Sequence, residues 1–295
     1  MKKDTRISWQ PVDAQTLALQ GKTAIVVGGT GGLGRAIARV LAARGARVVV
    51  VGQTFRDTGT PGIEFVQADL SLMAEAGRIA KALPAESADW LIFTTGIFAA
   101  PQRKATAEGI EQDLAVSYLN RLVMLREMAP RLGKARLASA GKPRVFLWGY
   151  PGTGQIGNPF DLNAERAYKP FAQHMNTVAG NEILVLDAAR RYPYLNVYGV
   201  NPGLVKTNIR SNFMGHRKFV FRLLEGIIGL LTPSPAQYAL RMTPLLASPG
   251  IEPHSGALFD NKARAILPSK GLTEAHMRNF TAASEALLAR VGIVW

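Results

Sequence analysis

The sequence predicts an α/β fold in which helices cover both faces of a doubly wound parallel sheet. Short runs of β-branched residues alternate with longer segments whose apolar residues recur at helical spacing. Apolar residues make up 47% of the 295 residues, enough for one sizeable core. No linker rich in Pro, Gly or Ser and no internal repeat divides the chain. These three observations together predict a single domain.

Short apolar runs predict the strands. The first is KTAIVVG at 22–28 and the second is RVVVV at 47–51, and both suit strands buried on both faces. The other predicted strands are Ile63–Gln67, Trp90–Thr94, Arg144–Trp148 and Asn196–Val200, with Ala257–Phe259 as a candidate seventh.

Helical patterns fill the intervals between these runs. After the first strand, RAIARVLAARGA places Ile37, Val40 and Leu41 at helical spacing and stops at Gly45. Further helices are predicted over Ser71–Leu83 and Gly109–Leu132, and over most of Ala164–Arg191. Strands joined through helices imply parallel pairing with right-handed crossovers.

An apolar segment interrupts the alternation after the sixth strand. We predict residues 1–20 as an N-terminal extension and 21–295 as the domain, with 208–235 as a helical insert. Residues 213–231 combine Phe, Leu and Ile with a few cations, which favours a substrate lid over the carboxyl ends of the strands. A subunit-contact helix and a helix lying on a membrane surface are the alternatives.

The composition excludes several classes of protein. The chain has no cysteine, which rules out disulfides and thiolate chemistry and fits a reducing compartment. It has no apolar run long enough to span a membrane, and residues 1–20 lack the apolar block of a signal peptide, so we expect a cytoplasmic protein. The net charge of +14 allows an anionic partner or a solvated arginine-rich surface, and it is densest from Arg121 to Arg144. No nucleic-acid-binding motif accompanies it, so no nucleic-acid partner is expected.

A glycine-rich turn joins the first strand to the first helix. Glycines at this place let the backbone approach a pyrophosphate, and the helix N-terminus offers free N–H groups to it. The turn therefore predicts a Rossmann-type dinucleotide site, whose first candidate residues are Gly28, Gly29, Thr30, Gly32, Leu33 and Gly34.

The end of the second strand bears on the choice of cofactor. A carboxylate there would hold the adenosine ribose and repel a 2′-phosphate, but Gly52 occupies the position and Gln53, Thr54 and Arg56 follow it. NADP(H) is therefore favoured, and NAD(H) stays open. Asp69, beside Leu70, is a candidate contact to adenine or else a helix cap.

From 21 to 259 the chain resembles the short-chain dehydrogenase/reductase family. The glycine turn and Asp69 match two of its motifs, and Thr94-Thr95-Gly96 stands where the family has Asn-Asn-Ala-Gly. The stretch 180–191 resembles the retinol-dehydrogenase-like branch, with Asn181 in register. The resemblance implies a homodimer or homotetramer. It also adds the candidate cofactor residues Thr95, Gly96, Pro202, Gly203, Val205 and Thr207.

The catalytic residues of that family are replaced in this chain. The family uses a Tyr-x-x-x-Lys pair, a serine after the fifth strand and an asparagine in the preceding helix, and this chain has no Tyr-x-x-x-Lys. Alignment through Asn181 puts His174 at the tyrosine position and Val178 at the lysine position. A register shifted by two gives Ala172 and Asn176 instead. The serine position falls on Gly149 or Tyr150, and the asparagine position on Ser117, one turn from Asn120.

His174 is the leading candidate for acid–base chemistry. Free imidazole exchanges its proton near neutral pH, whereas a phenol needs a neighbouring cation to do so. The predicted catalytic residues are His174, Tyr150 and Ser117, with Tyr168 as a further substrate contact. A decayed site is the alternative. The other histidines have no ligand spacing, so no metal site is predicted.

These residues together predict an NADP(H)-binding oxidoreductase with a non-standard proton donor. We expect it to act on a small hydrophobic carbonyl compound or alcohol, which could carry an acidic group. Two other classes stay open. One is a non-redox enzyme on the same scaffold, such as a cyclase, isomerase, dehydratase or lyase. The other is a non-catalytic protein that binds the dinucleotide.

Overall fold

The computed structural model describes residues 1–14, 16–203 and 233–295, and these residues form one sheet in the order β3-β2-β1-β4-β5-β6-β7-β8. All neighbouring strands are parallel except β7 and β8, which are antiparallel. The predicted fold class is confirmed. The strands are β1 (Thr23–Val27), β2 (Arg47–Gly52), β3 (Ile63–Gln67), β4 (Trp90–Phe93), β5 (Arg144–Trp148), β6 (Asn196–Val200), β7 (Leu258–Phe259) and β8 (Ala265–Ile266).

Helices follow the strands on both faces of the sheet. A π-helical segment (Ala115–Leu119) lies between the third and fourth helices and makes one continuous helical run with them. The described helices are α1 (Gly32–Ala43), α2 (Met73–Ala82), α3 (Gln112–Leu114), α4 (Asn120–Met128), α5 (Pro170–Arg191), α6 (Pro235–Ala247) and α7 (Glu274–Ala289).

The long helix covers Pro170–Arg191, which is most of the predicted stretch Ala164–Arg191. It begins at Pro170 because proline fits the first helical turn and holds the residue before it extended. One predicted helix start is wrong, and local chemistry explains it. The preceding helical run begins at Gln112 and not at Gly109. The side chain of Glu111 accepts hydrogen bonds from the N–H groups of Asp113 and Leu114 and so caps its first turn.

The edge of the sheet that β8 forms was not predicted. The strand β8 has two residues, too few for a periodic pattern. The N-terminal residues reach this edge, where Lys3 bridges to Ile266 and the indole of Trp9 donates to the carbonyl of Ala263 at 2.8 Å. The first residues of the chain therefore pack on the domain.

Apolar layers cover each face of the sheet. One contains residues of α2, α4, α5 and α7, and the other contains residues of α1 and α6. The helix α7 contacts the helical run of α3 and α4, with the Tyr118 hydroxyl 3.0 Å from that of Ser284. Arg126 of α4 is also paired with Glu285 at 2.5 Å. No helix in the described ranges is long and apolar enough to cross a membrane.

The dense basic segment is not a solvated surface. Arg121 and Arg144 are only 2% and 7% exposed. Arg126, Arg131 and Arg136 form ion pairs with acidic residues of neighbouring elements, at distances of 2.5 to 2.8 Å. These arginines tie the helices and loops to the sheet.

Candidate functional site

A cleft of about 650 Å³ opens at the carboxyl ends of the strands. The chain runs from β1 to β3 in one direction and then crosses back to β4, so the cleft lies at the point where the strand order reverses. That point is where open α/β sheets bind nucleotides. The predicted residues that line the cleft are Gly28, Thr30, Gly32, Leu33, Gln53, Thr54, Arg56, Asp69, Leu70, Thr95, Gly96, Ser117, Tyr150, His174, Pro202 and Gly203.

Two predicted cofactor residues, Gly29 and Gly34, do not line the cleft but pack beneath it. A Cβ on Gly34 would lie 2.2 Å from Thr94 Oγ1, and one on Gly29 would lie 2.7 Å from Val50 Cγ1. These glycines allow α1 and its turn to approach β2 and β4 closely. Val205, Thr207 and nearly all of the predicted lid lie outside the described residues.

The glycine turn has the shape that a pyrophosphate requires. Gly28 has φ +87°, and a Cβ there would lie 2.6 Å from the backbone nitrogen of Thr95. A Cβ on Gly31 would instead meet only Arg56 Nη1, at 3.5 Å, among protein atoms within 4 Å. Gly31 precedes α1 without a side-chain cap, so the first N–H groups of the helix face this space. The residues therefore fit a dinucleotide.

Asp69 lies at the β2–β3 end of the cleft, and it does not cap the next helix. Its Oδ1 accepts from the Ser71 N–H at 3.0 Å and from Gln53 Nε2 at 3.0 Å. Burial acts to raise the pKa of Asp69, but the hydrogen bonds from Ser71 and Gln53 have the larger opposite effect. The pKa therefore lies below its usual value. Glu108 caps α2 instead, accepting from Met73 N at 2.6 Å.

Arg56 extends over the glycine turn. Its Nη1 donates to the carbonyl oxygen of Thr30 at 2.9 Å, and none of the ion pairs among the described residues includes it. The neighbouring carboxylate of Asp57 is 4% exposed and is bound by Arg35 and Arg39. The cleft wall after β2 therefore presents a guanidinium and no unpaired carboxylate.

A histidine–carboxylate pair lies on the other side of the cleft. His174 Nδ1 is 2.7 Å from Oδ2 of Asp113, which is fully buried. The Ser117 hydroxyl is 2.5 Å from the other oxygen of Asp113, and it accepts from the Ile97 N–H at 3.0 Å. Asp113 thus bridges His174 and Ser117, whereas in a serine hydrolase the histidine lies between the other two residues.

The contact between His174 and Asp113 determines which ring nitrogen of the imidazole can exchange a proton with a substrate. When Nδ1 donates to Asp113, the neutral ring leaves Nε2 as an acceptor. Nε2 has no hydrogen-bond partner among the described residues, and the side chain keeps 12% exposure. The ring of Phe98 stacks on His174 at 4.3 Å between centroids. Sequence reasoning missed Asp113, although its position four residues before Ser117 on a helix was a usable signal.

Comparisons with known proteins agree with this geometry. A family model described as short chain dehydrogenase matches residues 22–139. An uncharacterized oxidoreductase of Saccharomyces cerevisiae is 49% identical over 98% of this chain and 95% of its own. The chain belongs to the short-chain dehydrogenase/reductase family.

More distant relatives fit the same family. Retinol dehydrogenase 14 of Mus musculus is 27% identical over 92% of this chain and 86% of its own. A 3-oxoacyl (acyl-carrier-protein) reductase from Agrobacterium tumefaciens, solved with NADP bound, superposes with TM-score 0.60 at 21% identity, covering 84% of this chain and 95% of that one. This structural likeness supports the fold.

Gly149, one of the two candidate positions for the family's serine, has no room for a side chain. A Cβ on Gly149 would lie 2.4 Å from the Cβ of Asn181. In the alignment through Asn181, the lysine position holds Val178, which is 4% exposed and lines the cleft. Asn181 is fixed in turn, because its Nδ2 donates to the carbonyls of Ser117 at 2.8 Å and Thr177 at 2.7 Å.

The remaining polar candidates are engaged in the fold. The Tyr150 hydroxyl donates to the Gly203 carbonyl, and the residue has φ +56°, an uncommon conformation for a bulky side chain. The Tyr168 hydroxyl donates to the Ala100 carbonyl at 2.6 Å, and burial raises its pKa to about 12. Asn120 donates to the Leu70 carbonyl at 3.1 Å and so ties α4 to the segment after β3.

Arg121 is the second charged residue that sequence reasoning missed at this site. Its Nη1 donates to the Trp148 carbonyl and to Asn181 Oδ1, both at 2.8 Å, and its Nη2 donates to the Thr95 carbonyl. Burial lowers the pKa of Arg121 to about 9, and the charge of Asp113 opposes that shift. No cluster of metal-ligating residues occurs in the described parts of the chain.

Proposed function

We propose that this protein is an NADP(H)-dependent oxidoreductase that interconverts a small hydrophobic carbonyl compound and its alcohol, with His174 as proton donor and acceptor. The observation that carries the proposal is the 2.7 Å contact between His174 Nδ1 and Asp113. It provides an oriented acid–base group at the position that the alignment through Asn181 matches to the family's tyrosine.

The geometry suggests a separate role for each of the dinucleotide, His174, Asp113 and Ser117. A bound nicotinamide dinucleotide supplies the hydride or accepts it. For carbonyl reduction, protonated His174 donates its Nε2 proton to the oxygen that becomes the hydroxyl. In the reverse direction, the neutral ring accepts the hydroxyl proton at Nε2. Asp113 stabilises the imidazolium in both directions and holds the ring in place. Ser117 positions Asp113, since its hydroxyl is already engaged.

The preference for NADP(H) rests on the charges after β2. Arg56 is held by Thr30 and has no carboxylate partner among the described ion pairs, while Asp57 is neutralised by two arginines. A guanidinium favours a 2′-phosphate, and an unpaired carboxylate would repel it. The Agrobacterium tumefaciens reductase, solved with NADP bound, supports the same choice.

A hydrophobic substrate suits the surroundings of His174. The apolar residues that line this part of the cleft are Ile97, Phe98, Val116, Trp148 and Val178. Among the relatives, retinol dehydrogenase 14 and polyprenol dehydrogenase of Mus musculus are named for hydrophobic alcohols. An acidic group on the substrate, a homodimer or homotetramer, and a cytoplasmic location stay predictions.

The test is a panel of hydrophobic aldehydes and ketones assayed with NADPH by loss of the reduced nicotinamide absorbance. In His174→Ala and Asp113→Asn we expect kcat to fall by about 10² to 10⁴ while NADPH binding is retained. His276→Ala is the matched control, because its Nε2 contacts the Ile156 carbonyl, outside the cleft. The control should keep wild-type turnover.

Three results would contradict the proposal. Unchanged turnover in His174→Ala would remove the histidine from the mechanism. Product formed without loss of the nicotinamide absorbance would point to a non-redox enzyme on this scaffold. Cofactor binding without turnover across the panel would favour a non-catalytic dinucleotide-binding protein.

A further inference from the structure

A buried guanidinium lies beside the cleft without a carboxylate partner. Arg121 is 2% exposed, and none of the ion pairs among the described residues includes it. Its described partners are neutral oxygens of Thr95, Trp148 and Asn181. Burying a charge against neutral acceptors costs free energy. A charge kept in such a place therefore calls for a reason beyond packing.

The position of Arg121 relative to the sheet suggests the reason. It is held at the carboxyl ends of β4 and β5, on the opposite side of the β1–β4 reversal from Gln53 and Asp69. A dinucleotide with its pyrophosphate at the glycine turn and its adenosine over β2 extends its nicotinamide half toward β4 and β5. Of the described residues that line the cleft, Arg56 and Arg121 are the two arginines, and no lysine joins them.

We propose that Arg121 is a specificity-determining residue that favours binding of the reduced nicotinamide dinucleotide over the oxidised one. This inference rests on the proposed function. The oxidised nicotinamide ring carries a positive charge and the reduced ring is neutral, while the adenosine and the phosphates are the same in both. A fixed cation near the ring therefore disfavours the oxidised form selectively. Val178 on α5 is uncharged, so the described cation on this side of the cleft is Arg121 of α4.

One buried carboxylate opposes this effect. Asp113 is fully buried, and its negative charge attracts the oxidised ring. It is paired with His174 at 2.7 Å. Asp113→Asn removes its charge and should shift the preference further toward the reduced form. The two charges thus predict shifts of opposite sign, which a merely structural role for Arg121 does not.

The experiment measures the dissociation constants of NADP⁺ and NADPH by titration calorimetry without substrate. Arg121→Met should lower the ratio of the NADP⁺ constant to the NADPH constant by about 10-fold. Coulomb's law gives a change of this size for unit charges roughly 10 Å apart at an effective dielectric constant of about 20. Arg56→Met, at the other end of the cleft, is the matched control. It should weaken both forms equally and leave the ratio unchanged.

The outcomes separate this inference from the function it rests on. An unchanged ratio in Arg121→Met would mean that Arg121 only ties α4 to the strand ends. That result would overturn this inference and leave the proposed function standing. Wild-type protein that binds neither form would overturn the proposed function as well. Circular dichroism checks that the variant folds. If the methionine variant does not fold, Arg121→Gln gives the same test, because its amide still donates to a strand-end carbonyl.

Discussion

Gly149 is one of the two candidate positions for the family's serine, and we expect Gly149→Ser to destabilise the protein. The new Cβ would lie 2.4 Å from Asn181 Cβ and 2.9 Å from Asn181 Cγ. Neither atom is the free end of a flexible side chain. Asn181 is also held by Arg121, Ser117 and Thr177 through hydrogen bonds of 2.7 to 2.8 Å.

The magnitude follows from two contributions. Overpacking a filled site costs about 1–3 kcal/mol, and displacing Asn181 puts hydrogen bonds at risk at about 1 kcal/mol each. We therefore expect the free energy of unfolding to fall by about 2–4 kcal/mol. For a chain of this size the melting temperature should fall by roughly 3–6 °C.

Urea denaturation followed by circular dichroism measures the loss. Gly31→Ala is the control, since its Cβ would meet one protein atom, at 3.5 Å, and φ there is −155°. It should keep the stability within about 0.5 kcal/mol and weaken cofactor binding, because Gly31 lines the cleft. Adding Asn181→Gly to Gly149→Ser should recover part of the loss, giving a coupling energy of about 1 kcal/mol or more. Wild-type stability in Gly149→Ser would refute the reasoning.

Three further predictions concern charge and hydroxyl groups. Arg56→Gln should weaken NADPH binding by about 10- to 100-fold and leave NADH binding nearly unchanged in parallel titrations. A hydrogen bond from Arg35 lowers the pKa of Asp57, so its stabilisation is present above the unfolded carboxyl pKa near about 4 and is lost as pH falls through the folded value. Asp57→Asn should therefore unfold more easily at neutral pH and lose less stability on acidification, as measured by melting temperatures across pH. Because burial raises the pKa of Tyr168 to about 12, this phenol stays neutral at working pH, and Tyr168→Phe should leave the pH profile of kcat unchanged.

The fold was predictable because its signals are local. Runs such as residues 47–51 are nearly all β-branched, and the glycine turn falls between a strand and a helix, where only a few architectures place it. The antiparallel β8 was not predictable in this way. It has two residues, and it pairs with β7 and with Lys3 through contacts that no periodic pattern encodes.

The site was predictable only in part, because its key contacts join residues that are distant in sequence. His174 could be aligned with the family's tyrosine, but its partner Asp113 lies 61 residues away on another helix. Arg121 stands in an apolar helical stretch, and its burial depends on three elements meeting around it. An arginine within such a stretch was the usable signal.

The replaced residues depend on one another, which argues against a decayed site. Asn181 stands in register with the family and is held by Arg121, whose charge lies near the strand ends and not one turn from His174. A lysine at Val178 would stand one turn from His174 and repel a positive charge on the imidazole, whereas the carboxylate of Asp113 lies 2.7 Å from its Nδ1. A phenol needs a nearby cation to release its proton near neutral pH, whereas an imidazole does not. In the alignment through Asn181, the exchange of the tyrosine for His174 therefore fits the exchange of the lysine for Val178.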